Sequence, residues 1–419
     1  MSLPELYRSG PTRTALVCIL IAFVVAANIA WLNPRPGFSL YRTMDSVPFM
    51  WQYNADAGME IISAAYFPEA FRTYPQRINR PLYPALAWSF GAIVGTALSP
   101  WVALSPLQRA GVGYIILKLL VHGVAAIALV DLLRRRMSTE AVSLAVALVF
   151  LHPHTIAHIA TFHTTELQLL VPVLVIWMAV RGRNNVFLWS LVIGMLMMGK
   201  QNFAVYAALL AWGVWQRRYR DVAISLLGFL VPLVLYVLFL RVWGLSYRNN
   251  EIQGMDQGVW VVSLLLRSPI QFIQTILQSM QLFLENSAVF SGPLLLLAVA
   301  ALAHPRQPLA TREAVFLGLL VMATWAQYLA VNRFSVAYLT GDFFVFVAGL
   351  SAWLLVDVWG IGSRRRFVLP AVVIVYGALS ILSFVNVPWV SPWEQTYRDP
   401  AYLESRRETV QMEDRRHRP

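Results

Sequence analysis

The chain has few charged residues and a single cysteine. Only 13% of its 419 residues are Asp, Glu, Lys or Arg, whereas 58% are hydrophobic and the mean hydropathy is +0.59. One soluble core could not bury so much apolar surface, so the composition excludes an ordinary soluble domain. Cys18 lies inside the first apolar run, and a lone cysteine excludes an intrachain disulfide. We therefore expect a polytopic membrane protein.

Several motifs that would indicate other chemistries are absent from the sequence. The chain contains no glycine-rich P-loop, no kinase motif set, no Cys/His cluster and no Asp-x-Asp metal motif. These absences argue against an ATP-driven pump and against a soluble type of nucleotide-sugar enzyme. Lysine is scarce as well, because Lys118 and Lys200 are the only lysines among 33 basic residues.

Apolar runs of roughly membrane-spanning length recur along the chain. The clearest runs cover residues 15–31, 110–132, 139–151, 165–180, 221–243, 287–303, 313–331, 342–359 and 367–385. A hydrocarbon core of about 30 Å needs about 20 apolar residues in a helix. Residues 186–215 are interrupted by Gly199-Lys200-Gln201-Asn202, which predicts two short helices that meet at one membrane face. The sequence thus predicts an all-α transmembrane bundle of about 10–12 membrane segments. It forms one domain, residues 1–385, followed by a polar tail, residues 386–419.

The net charge of +12 does not indicate a nucleic-acid binder, because of where the arginines lie. They cluster at the ends of apolar runs, as the positive-inside rule requires of cytoplasmic loops. The clusters occupy residues 134–136, 181–183, 217–220 and 364–366. Placing them in the cytoplasm assigns the opposite, external face to residues 32–80, 152–166, 199–202, 244–286 and 332–341. The N-terminal run follows Arg8 and Arg13 and is expected to be an uncleaved anchor.

Two segments do not fit this alternation as simple spans. A crossing by residues 81–105 would leave the arginines at 134–136 on the wrong face, so this proline-containing segment is expected to form a re-entrant hairpin or to lie along the external face. The same count of membrane crossings between arginine clusters predicts that residues 268–285 form an interfacial amphipathic helix within the external loop 244–286. Its glutamines at positions 271, 274, 278 and 281 support that interpretation.

The first external loop, residues 32–80, combines acidic and basic residues. Its acidic residues are Asp45, Asp56, Glu60 and Glu69, and its nearby arginines are Arg72, Arg77 and Arg80. A carboxylate beside arginines can deprotonate an acceptor hydroxyl next to a bound phosphate, since arginine makes bidentate phosphate contacts. The alternative is a solvated loop with ordinary surface charges.

Histidines surround the turn between the third and fourth apolar runs. His154 and His158 have the i, i+4 spacing that can present two imidazoles to one metal, with Glu166 as a conceivable further ligand. The chain has no H-E-x-x-H pattern and no cysteine pair. Interfacial histidines satisfied by water or backbone are therefore the competing interpretation.

Three isolated basic residues complete the candidates. Lys118 lies inside an apolar run, where an ionisable group is costly and is by default a functional hypothesis. Lys200, at the predicted helix break, could bind phosphate or extend to lipid headgroups. Arg333, at an external turn, could likewise hold phosphate or anchor a helix end.

The order of these features resembles the GT-C superfamily of polytopic glycosyltransferases, which use polyprenyl-phosphate sugars and include the dolichol-phosphate-mannose-dependent mannosyltransferases. The resemblance covers about residues 10–345. It rests on an anchor helix, an acidic external loop, the segment Asn79-Arg80-Pro81-Leu82-Tyr83-Pro84, an external Pro then Thr-Glu turn, paired short helices and a late external arginine.

The resemblance implies an inverting transfer of a sugar from a polyprenyl-phosphate donor to an acceptor hydroxyl. The acceptor would be a lipid, a glycan or a protein, and the active site would lie on the periplasmic face of the bacterial plasma membrane. The resemblance implies no specific cofactor, a divalent cation is the alternative, and no nucleic-acid partner is expected. The alternative from another class is a transporter or flippase of lipid-linked glycans, or else a polymerase or ligase of such glycans.

Carried over residue by residue, the resemblance implies a role for nine positions. Asp56 would be the general base with Asp45 as its rival, and Glu166 would be the second external acid. The donor phosphate would be bound by Arg80, Lys200 and Arg333. The remaining cavity residues would be Tyr83, His163 and Arg77. The chain departs from the family pattern after Asp56, where Ala57-Gly58-Met59-Glu60 lacks the usual aromatic residue.

Overall fold

The computed structural model is all-helical in the part of the chain that it describes, which confirms the all-α class. The described residues are 10–32, 55–73, 78–159, 161–162, 164–165, 167–181, 184–200, 202–247, 257–306, 309–331, 337–361 and 368–386. The predicted polar tail begins at the last described position and otherwise lies outside them.

The helices follow one another in the order predicted by the apolar runs. The first eight are α1 (Gly10–Leu32), α2 (Ala55–Ala65), α3 (Ala70–Thr73), α4 (Leu82–Leu98), α5 (Pro106–Leu133), α6 (Thr139–Phe150), α7 (Pro153–Ile159) and α8 (Leu167–Arg181). The next seven are α9 (Val186–Met197), α10 (Phe203–Trp215), α11 (Tyr219–Val242), α12 (Val259–Arg267), α13 (Pro269–Ser291), α14 (Pro293–Ala303) and α15 (Thr311–Ala330). A 3₁₀ segment (Ala337–Phe343), α16 (Phe344–Trp353), a π-helical segment (Leu354–Val358) and α17 (Val368–Asn386) complete the described chain.

Four helical segments of the described chain are long and apolar enough to cross a membrane. They are α5, α11, α15 and the continuous stretch Leu339–Val358. The pair α13 and α14 makes a fifth if the two are counted as one broken span, so the larger number of membrane segments stays a prediction. Shorter apolar helices of 10–17 residues, among them α4, α6, α8, α9 and α10, accompany these segments in the chain.

Helix α6 is one of these shorter helices, and it is almost fully enclosed. Every residue from Ala141 to Phe150 except Ser143 is buried. These side chains are small or branched apolar groups for the most part, and they pack against α1, α16 and α17. Because the helix is apolar on all sides, it suits the interior of the bundle rather than a surface.

Arginines gather at one end of the bundle, which we call the arginine end. At the C-terminus of α5, Asp131 accepts hydrogen bonds from Arg181 at 2.6 and 2.7 Å, from Arg134 at 2.7 Å and from the Trp177 indole at 3.0 Å. Arg136 lies 3.0 Å from Glu313 at the start of α15. Arginines that the sequence assigns to separate loops therefore meet at one end of the bundle.

The other end, which we call the polar end, is formed by the starts of α8, α10 and α16. Helix α8 begins beside Gln168 and ends at Arg181, and α10 begins after Asn202. Asp342 lies just before the start of α16. Because these helix starts converge, polar side chains that are far apart in sequence are buried together.

Helices α4 and α5 form an antiparallel hairpin held by glycines. A Cβ atom placed on Gly113 would lie 1.8 Å from the Ala87 carbonyl oxygen, and one on Gly91 would lie 2.2 Å from the Arg109 carbonyl oxygen. Only glycine allows so close an approach of the two backbones. Helix α4 has 17 residues and packs along the first half of the 28-residue α5.

The apolar run 287–303 does not form one continuous helix, contrary to the sequence prediction. Helix α13 extends to Ser291, and α14 leaves it at an angle of 103°. Gly292 makes the bend with a φ of 55°, a conformation that favours glycine. Helix α13 also extends past the predicted C-terminal limit at residue 285. Its exposed apolar residues recur at helical spacing, at positions 270, 273, 277, 280 and 284.

Candidate functional site

Five residues that the sequence singles out lie outside the part of the chain that the structure describes. They are Asp45, Arg77, His163, Glu166 and Arg333. Asp56 is the second residue of α2. The remaining predicted site residues, Arg80, Tyr83 and Lys200, belong to the described part and lie around one junction at the polar end.

Helix α2 is fixed to the hairpin through Glu60, which is buried. The Tyr114 hydroxyl of α5 lies 3.2 Å from the Glu60 carbonyl oxygen and 3.3 Å from its Oε2. A hydroxyl has one proton, so these two acceptors share it. Because Asp56 precedes Glu60 by about one helical turn, this contact sets where the start of α2 lies relative to α5.

The segment that contains Arg80 and Tyr83 packs against the break between α9 and α10. The backbone N–H of Leu82 donates to the Met198 carbonyl oxygen at 3.3 Å. A Cβ atom placed on Gly199 would lie 3.6 Å from Tyr83 Cδ2. The Tyr83 ring also contacts the Tyr114 ring, with a centroid distance of 6.1 Å. Two segments that are distant in sequence, and that the resemblance assigns to one site, are thus brought into contact.

Lys200 lies at this break with only 6% of its surface exposed, near a buried carboxylate. Its charge acts on Asp342, which is fully buried. The Asp342 Oδ1 atom accepts hydrogen bonds of 2.5 Å from Gln168 Nε2 and from Asn202 Nδ2. The Thr324 hydroxyl lies beside the same carboxylate. This cluster joins α8, α10, α15 and the 3₁₀ segment at the polar end.

Three oxygen atoms of this cluster have no hydrogen-bond donor among the described residues. They are Asp342 Oδ2, Gln168 Oε1 and Asn202 Oδ1, and each is buried. The amide groups cannot be turned over to satisfy them, because an amide oxygen would then face the Asp342 carboxylate. An oxygen that is buried without a hydrogen-bond donor costs free energy. A ligand that brings several hydroxyl or N–H groups would supply donors to these three oxygens.

Two histidines near the α6–α7 turn, His152 and His154, are held by backbone groups. His154 donates from Nε2 to the Thr165 carbonyl oxygen at 3.0 Å, and its ring lies 4.4 Å from that of His158. His152 donates from Nε2 to the Phe290 carbonyl oxygen at 3.0 Å, while its Nδ1 accepts from the His154 N–H at 3.1 Å. Burial lowers the pKa of His152 to about 4, so the ring is neutral.

For His154, the contact with the Thr165 carbonyl oxygen favours the backbone-satisfied interpretation over metal ligation. Within the described ranges, no three His, Cys, Asp or Glu side chains converge as metal ligands would. Glu166, the further ligand considered from the sequence, lies outside those ranges. The part of the metal interpretation that involves Glu166 therefore stays a prediction.

Lys118 is fully buried in the middle of α5. Its ammonium group donates to the His158 carbonyl oxygen at 2.8 Å, and its own carbonyl accepts from His122 Nδ1 at 2.8 Å. Tyr114, Lys118 and His122 follow each other at intervals of four and therefore share one face of α5. The lysine that the sequence marks as functional thus has a structural role between α5 and α7.

Sequence reasoning missed Gln168, Asn202 and Thr324 as members of the site. A usable signal was present for Asp342, since it is an acidic residue at the edge of the apolar run 342–359. The amides and the threonine carry no such signal, because uncharged polar residues are common at helix ends.

A scan against protein-family models and searches of curated proteins and of solved structures find no match to this chain.

Proposed function

We propose that the protein is a membrane glycosyltransferase that transfers a sugar from a polyprenyl-phosphate donor to an acceptor hydroxyl. The observation that carries the proposal is the chemistry of the polar end. A buried ammonium group, Lys200, interacts electrostatically with Asp342, and three buried oxygens of the Asp342 cluster lack donors among the described residues. A sugar phosphate is complementary to that set, because its hydroxyls donate hydrogen bonds and its phosphate attracts the ammonium.

In the proposed reaction, Asp56 takes the proton of the acceptor hydroxyl as the oxygen attacks the anomeric carbon. The bond between that carbon and the phosphate oxygen breaks at the same time, and the configuration inverts. Polyprenyl phosphate leaves with the electron pair, and Lys200, Arg80 and Arg333 neutralise its charge. The leaving group is already a good one. Positioning, one proton transfer and charge neutralisation are therefore the main demands on the protein.

The two ends of the bundle also differ in a way that supports this function. At the arginine end, the buried carboxylate of Asp131 is paired with Arg134 and Arg181. At the polar end, by contrast, the described cluster offers acceptors that its own donors leave unsatisfied. Positive-inside placement of the arginine end would leave the polar end on the external face, where lipid-linked sugars would be used.

Transport of a lipid-linked glycan is the second candidate, and one observation favours it. Lys118 is a fully buried cation inside the longest of the described helices, where a headgroup that crosses the membrane would pass. Its contact with the His158 carbonyl oxygen gives it a structural explanation as well. The two functions can be distinguished experimentally, because sugar transfer requires a general base and transport does not.

The test is to measure sugar transfer by the purified full-length protein and its Asp56→Asn variant, with Asp45→Asn in parallel. Asparagine keeps the shape of the side chain but cannot take the proton, so turnover is expected to fall by about 10²- to 10⁴-fold while donor binding is retained. Glu69→Gln is the matched control, because Glu69 is a surface acid that pairs with Arg72 at 3.4 Å.

Loss of turnover in Asp45→Asn alone would assign the base to Asp45. Normal transfer by both aspartate variants would remove the proposed mechanism. Movement of a lipid-linked sugar across a vesicle membrane, unaffected by either variant, would then support the transporter.

A further inference from the structure

A cavity of about 220 Å³ opens at the arginine end, on the opposite side of the bundle from the candidate site. It lies between α5, α8, α10, α15 and α16. Its charged lining residues are Arg136, Arg218, Arg312 and Glu313, and the other side chains that line it are apolar except for the indole N–H of Trp212. An apolar cavity with a basic rim between membrane helices has the chemistry of an anionic lipid site.

The donors at this cavity exceed the acceptors. Arg136 pairs with Glu313 at 3.0 Å, and Arg218 pairs with Asp221. Arg312 makes no hydrogen bond or ion pair with any described residue. The indole nitrogen of Trp212 is buried and likewise has no acceptor within the described ranges. A buried N–H without an acceptor is costly, so a ligand that brings acceptor oxygens would complement this rim.

The lining of the cavity decides between a lipid and a soluble anion. Leu133, Ile176, Leu209 and Phe316 are among the apolar side chains of its wall, and nothing in such a wall binds a small hydrated anion. The volume is below the roughly 300–1,000 Å³ typical of pockets that enclose a whole small molecule. It suits part of one acyl chain, with the headgroup at the basic rim.

We propose that this cavity binds one anionic phospholipid from the membrane leaflet at the arginine end. The headgroup phosphate lies at Arg312, an ester oxygen of the lipid accepts from the Trp212 indole N–H, and an acyl chain enters the apolar interior. The site is independent of the proposed glycosyl transfer, because it lies at the opposite end of α8 and α10. Failure of one proposal therefore leaves the other standing.

Native mass spectrometry of the full-length protein, titrated with phosphatidylglycerol or phosphatidylcholine, tests the proposal. The wild-type protein is expected to retain one phosphatidylglycerol in preference to phosphatidylcholine. Arg312→Gln should weaken that binding by about tenfold, the usual effect of losing one charge-assisted contact. Ala179→Leu should weaken it as well, because Ala179 lines the cavity and a larger side chain there would fill it.

Arg306→Gln is the matched control. Arg306 is an exposed arginine on the chain between α14 and α15 and does not line the cavity, so the variant changes the same charge and should bind like wild type. If Arg306→Gln weakened phosphatidylglycerol binding as much as Arg312→Gln, the binding would reflect only nonspecific electrostatic attraction, and the proposal would be overturned. Equal retention of the two lipids, or displacement of phosphatidylglycerol by glycerol phosphate alone, would overturn it too.

Discussion

Asp342 provides a test of how the polar end is held together. Asp342→Ala removes the one acceptor shared by Gln168 and Asn202 and leaves two buried amide donors unpaired. Each unpaired donor costs about 1–3 kcal/mol, so the expected loss of unfolding free energy is about 2–6 kcal/mol. Loss of the attraction between Asp342 and Lys200 adds to it.

Asp342→Asn separates hydrogen bonding from charge. Asparagine keeps an oxygen that can accept from both amides. Its N–H group can donate to the oxygens of Gln168 or Asn202 that lack donors among the described residues of the wild-type protein. We therefore expect Asp342→Asn to be more stable than Asp342→Ala by about 2 kcal/mol or more.

Thermal unfolding of the three proteins in one detergent checks this order. Asp357→Ala is the control, since Asp357 is an exposed aspartate that accepts from the Ser138 N–H at 3.2 Å, and its loss should have a small effect. Equal destabilisation by Asp342→Asn and Asp342→Ala would refute the hydrogen-bond argument and make the charge opposite Lys200 the dominant interaction.

His152 should make the stability of the protein depend on pH. Its pKa is lowered to about 4, below an ordinary value of about 6.5, so the unfolded chain binds more protons and stability falls as pH drops through this window. Between pH 7 and pH 5 the unfolding free energy is expected to fall by about 2 kcal/mol. The unfolding free energy of His152→Gln should depend less on pH than that of the wild-type protein. Lys200→Gln and Arg333→Ala should each weaken binding of the polyprenyl-phosphate sugar by about tenfold, and an unchanged affinity would leave Arg333 only a helix-anchoring role. In a Cys18→Ser background, a cysteine at position 182 should resist an impermeant reagent added from outside, and its labelling would contradict the assigned topology.

The helices can be predicted largely from local composition. The runs 110–132 and 221–243 correspond to α5 and α11, because about 20 apolar residues suffice to define a membrane-length helix wherever they occur. The break at 199–202 is predictable for the same local reason, and it separates α9 from α10. The bend at Gly292 is not predictable in this way, since an apolar run looks alike whether its helix is straight or broken.

The polar cluster could not be predicted from the sequence, because it is made by packing rather than by any local pattern. Gln168 and Asn202 are separated from Asp342 by 174 and 140 positions. Only the convergence of three helix starts brings them together. The segments containing Arg80 and Lys200 meet through a backbone hydrogen bond from Leu82 to Met198. A backbone hydrogen bond does not require particular side chains, so the sequence does not indicate it.

The two ends of the bundle differ in how they satisfy their charges, and that difference bears on function. At the arginine end, the carboxylate of Asp131 is enclosed by Arg134, Arg181 and the Trp177 indole, so its acceptor capacity is used within the protein. At the polar end, Asp342 Oδ1 accepts two hydrogen bonds, whereas Asp342 Oδ2 has no donor among the described residues. A structural cluster gains stability by filling every such position, whereas a binding site keeps some positions for its ligand. On this argument we expect substrate to bind at the polar end, and the proposed lipid accounts for the open donors at the arginine end.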